Sequence, residues 1–301
     1  MINKDYFKQT RILDGGMGQE LLARGMKPNS TLWSANAILD TNYHQLVLDT
    51  HLDFIKAGAE IIVTTTFATR QKRLKENNLL DKFEYLNQKA GEIAQAAKKK
   101  FPNTLIAGGI PPQNSTYEAD DRDKTEIIEN FNSQGKALNQ YVDFFYFDVW
   151  SSIKEVECGI EAIKEFKKPY LVGLHISEGT TLPSGEKIEE IKNIIDENAL
   201  GVMLSCVSPE NFEKNLEELR SLNIPFGFKL NGFVTTKLKE SYTKVFLGKK
   251  SNPNEILGKR QDLTPIKIQE IAKKFKDGGA TILGGCCETR PSHIEAMANI
   301  K

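Results

Sequence analysis

Short apolar segments alternate with longer amphipathic ones along the whole chain. The short segments predict eight β-strands, at residues 11–16, 60–67, 104–110, 143–150, 170–177, 200–206, 225–231 and 280–286. Most are nearly continuous apolar runs, as expected for parallel strands that are buried on both faces. Between them, apolar residues recur at the three- and four-residue spacing that is typical of amphipathic helices.

The helical segments carry recognisable start and stop signals. Helices are predicted within residues 42–58, 84–101, 124–142, 152–166, 187–196, 208–222 and 264–279. Ser208 and Thr264 each precede a proline, which is the order of an N-cap followed by the first helical residue. Eight strands that alternate with helices predict an α/β protein with a (β/α)8 barrel, and an open doubly wound sheet is the alternative. No G-x-G-x-x-G follows the first strand, which argues against a dinucleotide site.

Two segments are longer than a minimal barrel requires. They are residues 16–42, after the first strand, and residues 232–263, after the seventh. Both follow strands, so we expect them at the C-terminal face of the barrel, where loops build active sites. No low-complexity linker interrupts the chain, and we therefore predict a single domain over residues 1–301.

Composition narrows the classes of function. The chain has 40 basic and 40 acidic residues, so it lacks the basic surface that a nucleic acid or an acidic membrane would need. We see neither a signal peptide nor an apolar run of membrane-spanning length. The sequence therefore predicts a cytoplasmic protein that acts on small molecules and whose thiols stay reduced.

Three of the four cysteines follow predicted strands. Cys206 ends the sixth strand, and Cys286 and Cys287 end the eighth, so the barrel would bring them to one mouth. Three thiolates can form three corners of a tetrahedral zinc site and leave the fourth open, as catalytic zinc sites do. Cys158 lies in the helix after the fourth strand, and we expect it to be an ordinary buried thiol.

Adjacent cysteines can bind one ion only if the backbone turns sharply. Gly284 and Gly285 are the expected place for that turn and for a close approach of chains. The same glycine pair fits two other interpretations, a phosphate site at a helix N-terminus or plain packing of small buried residues. Spacing alone leaves all three open.

Two acidic residues also end predicted strands. Asp14, followed by Gly15, could hold a substrate ammonium group or cap a helix in a tight turn. Asp148 follows an aromatic run, where a carboxylate is costly unless it is paired or lies at the barrel rim. We therefore interpret Asp148 as a site residue.

The histidines give a weaker signal. His175 ends the fifth predicted strand and could reach the mouth, whereas His51 and His293 lie on helices and are expected to be structural. Neither an H-E-x-x-H nor a G-x-S-x-G motif is present.

Taken together, these motifs resemble the homocysteine S-methyltransferase family over roughly residues 11–299. The matching segments are DGGMGQELLARG at 14–25, HLDFIKAGAEIIVTTTF at 51–67, AGGI at 107–110, GVMLSCVSPE at 201–210 and GGCCETRPSHI at 284–294. The most specific of them is the Gly-Gly-Cys-Cys motif, with Cys206 at the expected distance before it.

The resemblance implies a fold, a cofactor and a reaction. It implies a (β/α)8 barrel that holds Zn²⁺ on Cys206, Cys286 and Cys287, with homocysteine as methyl acceptor and methionine as product. Within the family, the compact length of the chain favours a sulfonium methyl donor, S-methylmethionine or S-adenosylmethionine, over folate or cobalamin. The residues that would contact the substrate are Asp14, Gly15, Asp148 and Gly285.

Three positions depart from the family pattern. Ser205 stands where the family has Asn, Asp148 where it has Glu, and Pro111 where it favours Gly. The cysteines that would bind zinc are intact, while the residues that would orient the substrate have changed. The alternative function is therefore a catalytically altered zinc barrel that acts on another thiol or responds to metal or redox state.

Overall fold

The computed structural model describes residues 2–249 and 252–301, and its strands form one parallel sheet. The strands are β1 (Arg11–Ile12), β2 (Ile61–Val63), β3 (Leu105–Ile110), β4 (Phe144–Trp150), β5 (Tyr170–Leu174), β6 (Ala199–Val207), β7 (Phe226–Leu230) and β8 (Ile282–Gly285). Their order is β1-β8-β7-β6-β5-β4-β3-β2. All eight predicted strands are present, though most are shorter than the apolar runs that predicted them.

The sheet closes on itself where β1 meets β2. Leu13 forms a parallel bridge with Ile61. On either side of it, the Glu60 N–H donates to the Ile12 carbonyl at 2.8 Å and the Asp14 N–H donates to the Ile61 carbonyl at 3.0 Å. The predicted (β/α)8 barrel is therefore confirmed, and the open doubly wound sheet is excluded because its edge strands would not pair.

Helices surround the barrel. They are α1 (Met17–Ala23), α2 (Ala35–Leu39), α3 (His44–Lys56), α4 (Gln71–Lys75), α5 (Phe83–Lys100), α6 (Lys124–Leu138), α7 (Ile153–Ile163), α8 (Pro209–Ser221), α9 (Tyr242–Lys249), α10 (Asn254–Leu257), α11 (Pro265–Asp277) and α12 (Pro291–Ala298). Short 3₁₀ helices cover Lys4–Lys8, Thr41–Tyr43, Leu80–Lys82, Asn139–Tyr141, Lys164–Phe166 and Ile188–Asn193. No helix within the described ranges is long and apolar enough to cross a membrane.

The predicted helix starts are confirmed, but one predicted helix has the wrong type. The Ser208 and Thr264 side chains accept hydrogen bonds from the backbone N–H groups of Asn211 and Lys267. The segment predicted as a helix over 187–196 forms only the 3₁₀ helix Ile188–Asn193. Its two buried apolar residues, Ile188 and Ile191, are three apart, a spacing that aligns on one face of a 3₁₀ helix.

The inside of the barrel is filled by side chains. Leu13, Tyr146 and Met203 belong to this inner cluster. At its N-terminal end, Phe7 from the first 3₁₀ helix is fully buried and packs edge-on against Phe144, with ring centroids 6.3 Å apart. The N-terminal end is thus plugged, so a ligand must enter at the C-terminal mouth.

Both long segments reach that mouth, as predicted. Trp33 from residues 16–42 and Phe233 and Tyr242 from residues 232–263 line the cavity there. Lys250 and Ser251, within the second segment, lie outside the described residues.

The outer core contains an aromatic cluster that supports β7. Phe212 of α8 lies 5.0 Å from the Phe228 ring and 4.6 Å from the Phe275 ring of α11, between centroids, and it is fully buried. We expect Phe212→Ala to lower the free energy of unfolding by about 3–5 kcal/mol, because it leaves a cavity. Urea denaturation would measure this.

Ile266→Ala is the matched control, since the Ile266 side chain is 72% exposed. It should change the free energy of unfolding by less than about 0.5 kcal/mol. Equal losses in both variants would contradict the assignment of this cluster to the core.

Candidate metal and substrate site

Three cysteine sulfurs converge at the C-terminal mouth of the barrel. Cys206 is the penultimate residue of β6, and Cys286 and Cys287 directly follow β8. The Sγ atom of Cys287 lies 4.0 Å from that of Cys206 and 3.9 Å from that of Cys286. All three sulfurs lie within 4.8 Å of one another. The structure thus brings together the three cysteines singled out from the sequence.

The backbone turn that aims these sulfurs is not where the sequence placed it. Gly284 and Gly285 are extended residues inside β8 without positive φ, so the predicted bend at this pair is wrong. The chain turns at Cys287 and Glu288, and Glu288 has φ +62°. On the other strand, Cys206 itself adopts φ +53° at a register shift between β6 and β7.

The glycine pair is required for close packing instead. A Cβ on Gly284 would lie 2.8 Å from the Leu13 Cβ, and one on Gly285 would lie 2.0 Å from the Thr289 Oγ1. The Gly285 N–H donates to the Asp14 carbonyl at 3.0 Å and the Cys286 N–H to the Leu230 carbonyl at 2.7 Å. These N–H groups are not free to bind a phosphate, which argues against the phosphate interpretation. Gly285 likewise has no free N–H for a substrate.

The sulfur spacing suits one tetrahedral metal ion. Zn–S bonds of about 2.3 Å at the tetrahedral angle place two sulfurs about 3.8 Å apart. The Sγ atom of Cys287 lies at nearly this distance from the other two, 4.0 Å and 3.9 Å. All three sulfurs belong to residues that line a cavity, and the hydroxyl of Tyr117, which lines it too, lies 3.1 Å from the Cys206 Sγ. The residues that could hold a metal are therefore Cys206, Cys286 and Cys287.

The thiols polarise one another. Hydrogen-bonding contact with the Cys206 and Cys287 thiols, together with the nearby Lys229 ammonium, lowers the pKa of Cys286 well below that of an ordinary thiol. Burial raises the pKa of Cys206. Negative charge thus collects first on Cys286, which favours capture of a cation.

A cavity extends from the sulfurs to the surface. It encloses about 730 Å³ of space, part of it open to solvent. Asp14, Gly15, Asp148 and the three cysteines all line it, whereas Gly285 does not. Six of the seven site residues proposed from the sequence therefore line this cavity, and the part that they line is its floor.

Sequence reasoning missed a buried cation among them. Lys229 of β7 lies with its Nζ 3.1 Å from the Asp14 Oδ1, and both side chains are nearly fully buried. The other Asp14 oxygen, Oδ2, accepts a hydrogen bond from the Val63 N–H at 2.8 Å. Lys229 sits in an apolar strand sequence, FGFKL, and a lysine inside such a strand was the signal that could have identified it.

Asp148 is the acidic residue of the floor that lacks such a partner. Its carboxylate lines the cavity without a salt bridge to the described residues. Burial raises the pKa of the Asp148 carboxyl to about 7, and the Lys229 ammonium and hydrogen bonding by the neighbouring Tyr146 hydroxyl oppose that rise. Asp148 can therefore change charge near neutral pH.

Aromatic side chains form the walls above the floor, and the sequence gave no indication of this. They are Trp33, Phe67, Tyr117, Phe233 and Tyr242. Trp33 packs edge-on to Phe67 with ring centroids 5.9 Å apart, and Tyr117 lies 5.2 Å from Tyr242. The wall can surround a cationic group. Trp33, Phe67, Tyr117 and Phe233 lie outside the helices and named strands, and Tyr242 begins α9. Sequence periodicity carries no information on which side chains of such separate segments converge.

The histidines are structural. His175 contacts the Ser205 carbonyl at 3.1 Å and the Ser177 hydroxyl at 2.7 Å, so both ring nitrogens are engaged. His51 is fully buried, and His293 bonds to the backbone of Arg290 and Leu263. As predicted, His51 and His293 therefore have packing and capping roles. Cys158 is buried away from this site, also as predicted.

Comparison with known proteins gives one consistent result. The family model described as homocysteine S-methyltransferase matches residues 11–300. Homocysteine S-methyltransferase 1 of Saccharomyces cerevisiae is 27% identical over 96% of this chain and 93% of its own length. The homocysteine S-methyltransferase of Escherichia coli K12 is 25% identical over 95% of this chain and 93% of its own length.

Solved structures agree on the fold. The metallated form of the homocysteine methyltransferase MmuM from Escherichia coli superposes with a TM-score of 0.79, covering 97% of this chain and 96% of that one. At 19% sequence identity, this likeness supports the barrel architecture alone.

Asp148 gives the site a testable pH dependence. Because its pKa is raised to about 7 from 3.8, the protonated carboxyl is favoured in the folded state. The stability that Asp148 contributes is fully present below its ordinary pKa and is lost as the pH rises through about 7. In metal-free protein, the free energy of unfolding of Asp148→Asn should therefore increase relative to that of the parent as the pH is raised from about 5 to about 8.

Urea denaturation at pH 5 and pH 8 measures the difference in unfolding free energy between Asp148→Asn and the parent. NMR of the carboxyl carbons measures the pH at which Asp148 titrates. An Asp148 resonance that titrates near pH 4, together with a pH-independent difference in stability, would contradict this description of the carboxylate.

Proposed function

The chain belongs to the homocysteine S-methyltransferase family, and on that premise we propose that it transfers a methyl group from a sulfonium donor to the thiol of homocysteine, giving methionine. Family membership makes the protein a methyltransferase. The identity of the metal, the donor and the roles of individual residues are the proposal. The observation that carries it is the convergence of three cysteine sulfurs at the floor of one closed barrel.

We propose zinc as the metal because of the donor set. Three thiolates with tetrahedral spacing and one open direction are characteristic of catalytic zinc. When bound there, zinc would bind the acceptor sulfur and favour its thiolate form at neutral pH. Three cysteinates leave such a centre with a net negative charge, so the acceptor sulfur would remain electron-rich.

The reaction is an in-line displacement. The acceptor thiolate sulfur attacks the methyl carbon and forms a new C–S bond, while the bond from that carbon to the donor sulfonium sulfur breaks. The electron pair of the broken bond stays on the donor sulfur, which leaves as a neutral thioether. The proton of the acceptor thiol goes to solvent. The protein must hold the two sulfurs and the carbon in line.

The floor of the cavity would position the acceptor. Asp14 and Asp148 supply carboxylates, and Gly15 lies against the Phe54 ring and the Thr289 carbonyl so that no side chain fits there. We propose that these residues surround the amino-acid end of homocysteine. Gly285 acts indirectly in this proposal, by holding the Asp14 backbone through its N–H.

The aromatic wall would bind the donor. A sulfonium cation is attracted to the faces of aromatic rings, and the attraction strengthens when water is excluded. Trp33 packs over Gly18, where a Cβ would lie 2.3 Å from the indole ring. The indole N–H of Trp33 has no hydrogen-bond partner among the described residues, so it is free for a donor carboxylate. The proposed donors are therefore S-methylmethionine and S-adenosylmethionine.

One assay tests the proposed function. Incubation of the zinc-loaded protein with homocysteine and either donor should give methionine, measured by mass spectrometry. Cys287→Ala should lower zinc from about one ion per chain and reduce turnover at least about 100-fold, because a site with two thiolates holds zinc poorly.

Cys158→Ala is the matched control, because it removes a buried thiol that lies outside the metal-ligand group. Its zinc content per chain and its rate of methionine formation should equal those of the parent. Full activity of Cys287→Ala would contradict the role of the metal. Zinc binding without methyl transfer to homocysteine would favour the alternative, an altered zinc barrel that acts on another thiol.

Donor binding has its own test. Trp33→Leu should raise the KM for the sulfonium donor about 2- to 30-fold, the range of a cation–π contact, and leave the KM for homocysteine nearly unchanged. Trp33→Phe keeps an aromatic face and should recover most of the loss. Steady-state kinetics with each substrate varied in turn would measure both constants, and equal changes in the two KM values would contradict the assignment.

A further inference from the structure

A lysine ammonium already occupies the acidic floor of the cavity. The Lys229 Nζ bonds to the Asp14 Oδ1 at 3.1 Å, and the Lys229 side chain is only 6% exposed. The charges of Asp14 and Asp148 both raise the pKa of Lys229, so it remains an ammonium. The floor therefore carries two carboxylates and one fixed cation.

The surrounding strands are built to accommodate this lysine. A Cβ on Gly284 of the adjacent β8 would lie 3.3 Å from the Lys229 Cγ, so the bare backbone there makes room for its stem. On its other side, the Lys229 Nζ lies 5.6 Å from the centroid of the Tyr146 ring. The Val63 N–H fixes the second oxygen of Asp14. The position of the ammonium is thus defined by β2, β4, β7 and β8 together.

Asp14 and Asp148 consequently differ in whether their carboxylate has a cationic partner. Both oxygens of Asp14 have a partner, and its charge is balanced by Lys229. Asp148 lines the same cavity with the Tyr146 hydroxyl beside it, and it has no salt bridge to the described residues. A substrate ammonium that enters this floor finds one carboxylate already in a salt bridge and one without a cationic partner.

We propose that Lys229 is a specificity-determining residue of the acceptor site, because it pairs with Asp14 and leaves Asp148 as the carboxylate that binds the amino group of the acceptor. This inference rests on the proposed function, since it concerns the same acceptor. It assigns distinct roles to two acidic residues that the sequence treated alike. It also makes the strength of amino-group recognition depend on a residue that does not touch the reacting sulfur.

Electrostatics gives the direction of the effect. A buried charge is stable only when it is paired. Removal of the Lys229 ammonium would leave Asp14 unpaired, and an acceptor ammonium would then restore the balance. An acceptor that has an amino group should therefore gain affinity in Lys229→Met, and an acceptor that lacks one should not.

Two thiols isolate the amino group. Homocysteine and 4-sulfanylbutanoate have the same chain of atoms from sulfur to carboxylate, and only homocysteine has the amino group. The measured quantity is the ratio of their kcat/KM values with S-methylmethionine as donor. The ratio of their Kd values, from calorimetry on the zinc-loaded protein, is measured alongside it.

The parent protein should prefer homocysteine by at least about tenfold, the effect of one hydrogen bond to a charged group. Asp148→Asn should bring the ratio close to one. Lys229→Met should raise the preference by about a further tenfold. Lys98→Met is the control, because it removes the lysine of the Lys98–Asp143 pair before β4, at the opposite end of the barrel, and it should leave the ratio unchanged.

The double variant Asp14→Asn/Lys229→Met covers the case in which Lys229→Met alone does not fold, since it removes both charges of the buried pair. It should keep the homocysteine preference of the parent, because Asp148 is still present. Three results would overturn the proposal. The preference for homocysteine could disappear in the double variant, stay unchanged in a folded Lys229→Met, or survive in Asp148→Asn.

The experiment distinguishes failure of the proposed function from failure of the proposed role of Lys229. If the parent transfers no methyl group to either thiol from either sulfonium donor, the proposed function fails, and the Kd ratios still decide the role of Lys229. If homocysteine and 4-sulfanylbutanoate react and bind equally well in the parent, methyl transfer stands and the role of Lys229 as a specificity determinant fails.

Discussion

The site depends on how β7 holds two neighbouring strand ends at a fixed separation. β7 lies between β6 and β8 in the sheet, and the residues at its end bond to both. The Asn231 side-chain amide donates to the Cys206 carbonyl. The Leu230 carbonyl accepts from the Cys286 N–H at 2.7 Å, and the Gly232 N–H donates to the Cys287 carbonyl at 2.8 Å.

These backbone contacts aim the sulfurs, and ordinary strand geometry would not. Successive side chains of a strand point to opposite faces, so adjacent cysteines in an extended strand could not share an ion. The turn at Cys287 and Glu288 removes that obstacle, and on β6 the left-handed conformation of Cys206 interrupts the regular strand. Because such conformations cost free energy, the sulfur cluster depends on the barrel packing beneath it. A change at the end of β7 should therefore disturb the arrangement of the three sulfurs without replacing a cysteine.

The sequence was sufficient to identify the fold and most of the residues at the cavity floor. Continuous apolar runs predicted the strands, and the strand ends placed Asp14, Asp148 and the three cysteines at one mouth. The position of the turn after β8 was mistaken because glycine suggested a flexible backbone, whereas close contacts with Leu13 and Thr289 explain the pair. Lys229 was missed because its role exists only through Asp14, 215 residues away in sequence. The aromatic wall was missed because the sequence of separate segments does not encode which of their side chains meet.

The cavity would thus have three parts: sulfurs that hold the metal and acceptor thiol, a charged floor for the amino-acid end, and an aromatic wall for the donor. In this proposal, one zinc ion binds three cysteine sulfurs and leaves a fourth position for the acceptor. X-ray absorption at the zinc edge tests this most directly. The account predicts three sulfur neighbours at about 2.3 Å in the free protein and four after homocysteine is added. A zinc ion whose sulfur neighbours do not increase on addition of homocysteine would contradict it.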